Sequence, residues 1–310
     1  MIVTHSLRAP ALPSRSTCVA LGLFDGLHMG HRAVLQATLA HAKSRVLEPL
    51  CFTFSTDYHT PDTKQGMTRL MSSQAMEDHL FQMGFSRIAC PDFDEFRELS
   101  PHSFLRDVLM EQLGAAAIVC GYDFRFGRKA AAGVEELSAF CREEQLDFLV
   151  TPAVEADGGV ISSSRIRELV AAGQMPVANR LLGRAFAIDF EVISGRRLGH
   201  TLGWPTINQP FPPGFTLPKF GVYATLTRLG KELYSSVTNV GVKPTVGSDR
   251  VLAETYIQGF EGDLYGSRVE VQFLQLLREE KKFSDLDALR VQIAADTEAA
   301  RRVSAPFLQK

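Results

Sequence analysis

The feature that most constrains this chain is a regular alternation of short apolar runs and amphipathic stretches from about residue 16 to 183. Runs at 17–23, 50–54, 87–90, 117–121 and 148–154 read as strands, and 30–45, 72–83, 101–113 and 134–145 read as helices. The runs are apolar throughout rather than alternating, as befits strands covered on both faces in a parallel sheet. Ser100 before Pro101 supplies an N-cap followed by proline at the first helical position. A polar stretch at 55–68 reads as a surface lid or substrate loop. After Gly183 the pattern changes. Strand-like runs at 186–194, 222–229, 233–240, 253–258 and 269–277 follow one another across turns, which predicts a small, closed antiparallel β-barrel. A last helix is expected from about 284 to 303, with Leu286, Leu289, Ile293 and Val303 partly sharing a face. The expected fold class is therefore α/β, with a parallel-sheet domain over 1–183 and a β-barrel with a terminal helix over 184–310.

The 310 residues suffice for two cores. A net charge of −2 gives no basic face for nucleic acid and no polybasic membrane signal. No apolar run approaches the ~18–20 residues of a membrane span, and 1–15 lacks the apolar centre of a signal peptide. The five cysteines (Cys18, Cys51, Cys90, Cys120, Cys141) are scattered, and four lie in or beside strand-like runs. Buried free thiols in a reducing cytosol explain them better than disulfides or zinc.

Within this frame four stretches carry chemistry. The first strand run leads into Phe24-Asp25-Gly26-Leu27-His28-Met29-Gly30-His31, a Gly-punctuated turn that opens a helix. The free N–H groups and the dipole of a helix start favour an anion, and His28 and His31, three residues apart, are placed to face one phosphate. The turn is neither a Walker loop nor a G-x-G-x-x-G fingerprint. Ser162-Ser163-Ser164-Arg165-Ile166-Arg167 also opens a helical pattern. It reads either as a capping serine with two solvated arginines or as hydroxyls and an Arg fork gripping phosphates; one geometry serves both. Gly121-Tyr122-Asp123-Phe124-Arg125-Phe126-Gly127 follows the fourth strand run, where open α/β sheets bind ligands. In the second half, Gly195, Gly199 and Gly203 let a backbone close over phosphates around Thr201. Thr206 and Asn208 lie two apart on an extended segment, so they share a face, and their neutral oxygens suit Mg²⁺.

H-x-G-H after a strand resembles the nucleotidylyltransferase superfamily. With G-x-D-F-x-F-G, S-S-x-R-I-R, the G-x-x-x-G-x-x-x-G-x-P-T-x-N run and Leu277-Arg278-Glu279 in this order, nearly the whole chain resembles prokaryotic bifunctional riboflavin kinase/FAD synthetase. The resemblance implies a Rossmann-like FMN adenylyltransferase domain and a riboflavin kinase barrel, both using ATP and Mg²⁺, with riboflavin, FMN and FAD as substrates and products. It implies that His28 and His31 stabilise the α-phosphate in the transition state, that Ser164 and Arg165 hold the outgoing pyrophosphate, and that Ser163 contacts the nucleotide. Phe24, Asp25, Gly26 and Gly30 would line the nucleotide, with Asp123 and Phe124 on the flavin. In the barrel it implies that Thr206 and Asn208 position Mg²⁺ and ATP. Glu254 would be the general base, and Arg278 would lie near the flavin or phosphates. Leu23 stands where the family usually has Asn, and 55–61 replaces a Pro-His-Pro-like segment. These departures define the alternative: a riboflavin kinase whose first domain binds but has lost or reduced adenylyl transfer. The expected protein is cytoplasmic, a monomer or weak homo-oligomer, with small-molecule substrates and no nucleic-acid or membrane partner.

Overall fold

The computed structural model describes residues 1–54, 67–194, 204–245 and 248–308. It divides into two compact units: Met1–Met67 with Ser73–Ser162, and Thr68–Ser72 with Ser163–Lys310. Residues 163–183 thus group with the second unit, as does a short internal segment that leaves the first unit and returns to it.

The first unit is a six-stranded, all-parallel sheet. Its strands are β1 (Ile2–Thr4), β2 (Thr17–Leu21), β3 (Glu48–Phe52), β4 (Arg87–Ala89), β5 (Ala115–Gly121) and β6 (Asp147–Thr151), in the order β1-β4-β3-β2-β5-β6. Every residue of β2 is buried, as its unbroken apolar run requires. The helices are α1 (Met29–Arg45), α2 (Ser73–Met83), α3 (Pro101–Ser103) and α4 (Val134–Glu143). Ser100 caps α3, accepting from the Ser103 N–H, and Pro101 opens it. Beyond Ser103 the predicted helix continues with wider π-type turns over Phe104–Gln112, burying Phe104, Leu105, Val108 and Leu109. A two-stranded hairpin, β7 (Glu155–Ala156) and β8 (Gly159–Val160), follows β6.

All five cysteines are free and buried. Burial pushes the Cys18, Cys120 and Cys141 thiols up to about 12, and that of Cys51 well up too. The native protein is therefore expected to resist thiol reagents at pH 8 and to expose five reactive thiols once denatured; rapid native labelling would contradict this. The unfolded thiols ionise near pH 9 while the folded ones keep their protons. Raising the pH from about 9 towards 12 therefore removes stability, read as a falling melting temperature.

The second unit opens with α5 (Ser163–Ala171) and α6 (Met175–Leu182), followed by β9 (Phe186–Ile188), β10 (Thr206–Pro210), β11 (Gly221–Leu229), β12 (Glu232–Thr245), β13 (Ser248–Ile257), β14 (Glu270–Arg278) and α7 (Leu286–Leu308). Its sheet order is β10-β13-β12-β11-β14-β9, antiparallel throughout. The chain beyond β9 then pairs across to the opposite edge: Ile193 bridges Asn208, its N–H donating to the Asn208 carbonyl at 2.9 Å. That bridge brings the two edges of the sheet together at one point. Inside, Thr225, Thr238 and Thr255 form a hydroxyl ladder with 2.9 Å steps, each oxygen satisfied by the next. The helix α7 packs on β11, β12 and β14. Asn179 on α6 pins the first strand, donating to the Phe273 carbonyl and accepting from the Phe186 N–H. The segment Thr68–Ser72 is held to this unit by backbone bonds from Arg69 to Gly214 and from Thr216 to Arg69, and by Ser72 donating to Asp189.

Candidate active sites

In the first unit, β2 and β5 are the neighbours at which the strand order reverses, and ligands bind beyond the carboxyl ends of such strands. The loop after β2 runs through Phe24, Asp25, Gly26 and Leu27 to His28. Although rich in glycine, it is not a solvated loop: Phe24, Asp25, Leu27 and His28 are all buried. Phe24, Gly26 and Leu27 take left-handed backbone conformations (φ 54°, 79° and 43°). The two non-glycine residues are held there against a cost of about 1–3 kcal/mol each. A Cβ at Gly22 would lie 2.9 Å from the Phe24 ring, so glycine at 22 is what admits that ring. Phe24 meets His31 edge to face at 5.5 Å. Thr53 donates to the Leu23 carbonyl, so the departure at Leu23 keeps its backbone tie to the end of β3.

His28 is the N-cap of α1: its Nδ1 accepts the His31 N–H at 3.2 Å. A neutral His28 therefore carries its proton on Nε2. The two imidazoles stack with centroids 3.6 Å apart and planes 18° from parallel. Gly30 makes room, since a Cβ there would stand 3.1 Å from His28 Cε1. Two ring donors and the first-turn N–H groups of α1 thus gather at one positive helix end, an arrangement suited to an oxyanion. After β5, Asp123 and Tyr122 are exposed at the loop tip. Phe124 stacks on Phe126 with centroids 5.9 Å apart, and Phe126 is a core residue rather than a pocket wall. Ser163, Ser164 and Arg165 form the first turn of α5 in the second unit, with Ser164 exposed and Arg165 half-buried.

In the second unit the antiparallel register builds the site. Asn208 on β10 stands opposite Glu254 on β13, and Glu254 stands opposite Asn239 on β12. The row continues through Val222 on β11 to Arg278 on β14. Residues directly opposite share a face of the sheet, and Thr206, two before Asn208, lies on that face as well. Hydroxyl, amide and carboxylate groups therefore share one face of the sheet, a donor set of the kind that fits Mg²⁺ bound chiefly through phosphates and water. Among the described residues no cluster of three His, Cys, Asp or Glu offers a denser metal site.

Arg278 makes a bidentate pair with buried Asp296 on α7, at 2.8–3.1 Å, and lies over the Phe283 ring. Its guanidinium thus ties the barrel to its helix. A cleft of about 550 Å³ opens alongside, between an apolar wall of Leu217, Pro218 and Phe220 and the carboxylates of Glu279 and Glu280. Lys219, 2.6 Å from Glu279, holds that carboxyl below the usual range. Gly195, Gly199, Thr201 and Gly203 lie outside the described residues, as do 55–61. The structure adds Asn239 and Glu280 to the neighbourhood of Glu254.

Comparison with known proteins covers both halves. A family model described as FAD synthetase matches residues 12–165, and one described as riboflavin kinase matches 182–304. A bifunctional riboflavin kinase/FMN adenylyltransferase of Pseudomonas fluorescens is 34% identical over 97% of this chain and 96% of its own. The protein of that name from Escherichia coli (strain K12) is 33% identical, with 93% of each chain covered. A crystal structure from Streptococcus pneumoniae, described as that of a macrolide-efflux protein, superposes with a TM-score of 0.84. It is 27% identical and covers 97% of this chain and 98% of its own. Among the described residues, no helix here is long and apolar enough to cross a membrane.

Proposed function

The chain belongs to the family of bifunctional riboflavin kinase/FMN adenylyltransferases, and from that premise we propose how its residues divide the work. The enzyme phosphorylates riboflavin to FMN with ATP, then transfers the AMP part of a second ATP to FMN, giving FAD and pyrophosphate. The observation that carries the reading is that two family models match successive parts of the chain, each over its own oxyanion or carboxylate constellation.

In the second unit, Glu254 accepts the proton of the ribityl 5′-hydroxyl as that oxygen attacks the γ-phosphorus and ADP departs. Thr206 and Asn208 hold the metal and nucleotide beside it. Mg²⁺, when bound, neutralises phosphate charge. Arg278, its charge balanced by Asp296, keeps α7 on the barrel. The apolar wall of Leu217, Pro218 and Phe220 suits a flat ring.

In the first unit, a phosphate oxygen of FMN attacks the α-phosphorus and pyrophosphate leaves. That nucleophile needs no deprotonation, so the protein's task is alignment and charge stabilisation. His28, donating from Nε2, and His31 receive the developing charge. Phe24, Asp25, Gly26 and Gly30 shape the nucleotide's seat, and Asp123 and Phe124 meet the flavin.

The reading extends to a cytosolic monomer or weak homo-oligomer acting on small molecules; the net charge of −2 offers nothing to a polyanion. Nothing favours a first unit that binds without turnover. Incubation with riboflavin, ATP and Mg²⁺ is expected to yield FMN and then FAD. FMN that accumulates without FAD would refute the assignment of the first unit.

A further inference from the structure

The amide of Asn239 occupies a position that the division of labour above leaves unused. Asn239 is directly across from Glu254, on the same face of the β12–β13 pair, where Cβ atoms stand about 5 Å apart. Its Nδ2 donates to Glu280 Oε1 at 3.4 Å, and that bond fixes which way the amide faces. Glu280 reaches this spot because residue 241, two along from Asn239 on the same face, is glycine; any Cβ there would collide with the Glu280 carboxylate. With its nitrogen committed, Asn239 presents its Oδ1, and that oxygen is buried with no hydrogen-bond partner among the described residues. A buried carbonyl oxygen left unpaired is costly, and a site that keeps one gains when a donor arrives. A carboxylate or phosphate cannot be that donor, because both only accept. A hydroxyl can.

We propose that Asn239 Oδ1 accepts a hydrogen bond from a second hydroxyl of the polyol chain whose terminal hydroxyl Glu254 deprotonates, with Glu280 orienting the amide. The inference rests on the riboflavin kinase reading of the second unit. It makes Asn239 a specificity residue: it registers the polyol chain along the strand face so that the terminal oxygen, and not its neighbour, meets Glu254. A hydroxyl near the end of the chain lies within the cross-strand spacing of the two side chains. A site built to receive a hydroxyl penalises the analogue that lacks it, because its own polar atom is then left unpaired.

The test uses the full-length enzyme, riboflavin and three analogues lacking the 2′-, 3′- or 4′-hydroxyl of the ribityl chain. One analogue is expected to lose about tenfold in kcat/KM for phosphorylation by the native enzyme. Asn239→Ala is expected to lose about as much with riboflavin, chiefly through KM, and to lose nothing further with that same analogue. Thermal unfolding of the full-length variant, compared with that of the native enzyme, reports whether the barrel is folded, and Asn239→Ser provides a second variant if Asn239→Ala is insoluble. If every analogue costs variant and native enzyme equally, or if none costs the native enzyme more than twofold, the proposal is overturned. Failure of the native enzyme to phosphorylate riboflavin at all would instead overturn the kinase reading.

Discussion

Glu254→Gln is expected to slow FMN formation from riboflavin by roughly 10²–10⁴-fold, the range of a lost general base. FAD formation from supplied FMN is expected to stay at the native rate. Glutamine matches glutamate in shape and still offers an oxygen and a donor, but it does not take up the hydroxyl proton. The strand will not notice the change. Ala253 and Thr255 on either side are fully buried, and Thr255 is locked into the threonine ladder. The register that places residue 254 between Asn208 and Asn239 is set by β10 and β12, not by this side chain. Separate assays of the two half-reactions check it. Native kinase turnover in the variant would remove Glu254 from the mechanism, and loss of both half-reactions without unfolding would contradict the separation of sites.

His31→Ala is expected to do the reverse, cutting FAD formation from supplied FMN by about 10²–10³-fold, as loss of one oxyanion donor does elsewhere. FMN formation is expected to be unaffected. His31 is the cleaner target of the two histidines. The bond that caps α1 runs from the His31 backbone N–H to the His28 ring, so it survives truncation at 31, and alanine is a strong helix former. Truncation at 28 would also remove the cap, with about 1 kcal/mol of stability, and would mix a folding effect with the chemical one. A His31→Ala enzyme making FAD at the native rate would show that the stacked pair does not face the α-phosphate.

The parallel sheet was readable because its strands are buried on both faces and so appear as unbroken apolar runs such as 17–21. The edge strand Ile2–Thr4 carries no such mark: three residues, mostly half-exposed, make no such run. The strand Thr206–Pro210 carries Asn208 and Gln209 where apolar residues would mark a strand. Both are nevertheless buried, and the Gln209 amide nitrogen is spent on the carbonyls of Phe190 and Val269. Histidine is a rare N-cap, so the sequence pattern points to Gly30 rather than Met29 as the start of α1. At the first site the motif itself carried the reading, since His28 and His31 are near in sequence. At the second site the participants are far apart. That Asn239 stands beside Glu254 depends on the pairing register of β12 and β13, which no periodicity fixes. That Arg278 is bound by Asp296 depends on where α7 lands. No residue pattern announces that Thr68–Ser72 groups with the barrel rather than with the sheet that flanks it in sequence.

On this division of labour one chain holds two independent phosphate-handling sites that act on the same flavin in turn. The most direct measurement supplies riboflavin, ATP and Mg²⁺ to the Glu254→Gln and His31→Ala enzymes, each alone and then mixed. Alone, the first is expected to leave riboflavin unconverted and the second to stop at FMN, whereas the mixture makes FAD. If each variant keeps its own half-reaction and the mixture still yields no FAD, the account of two separable sites is contradicted.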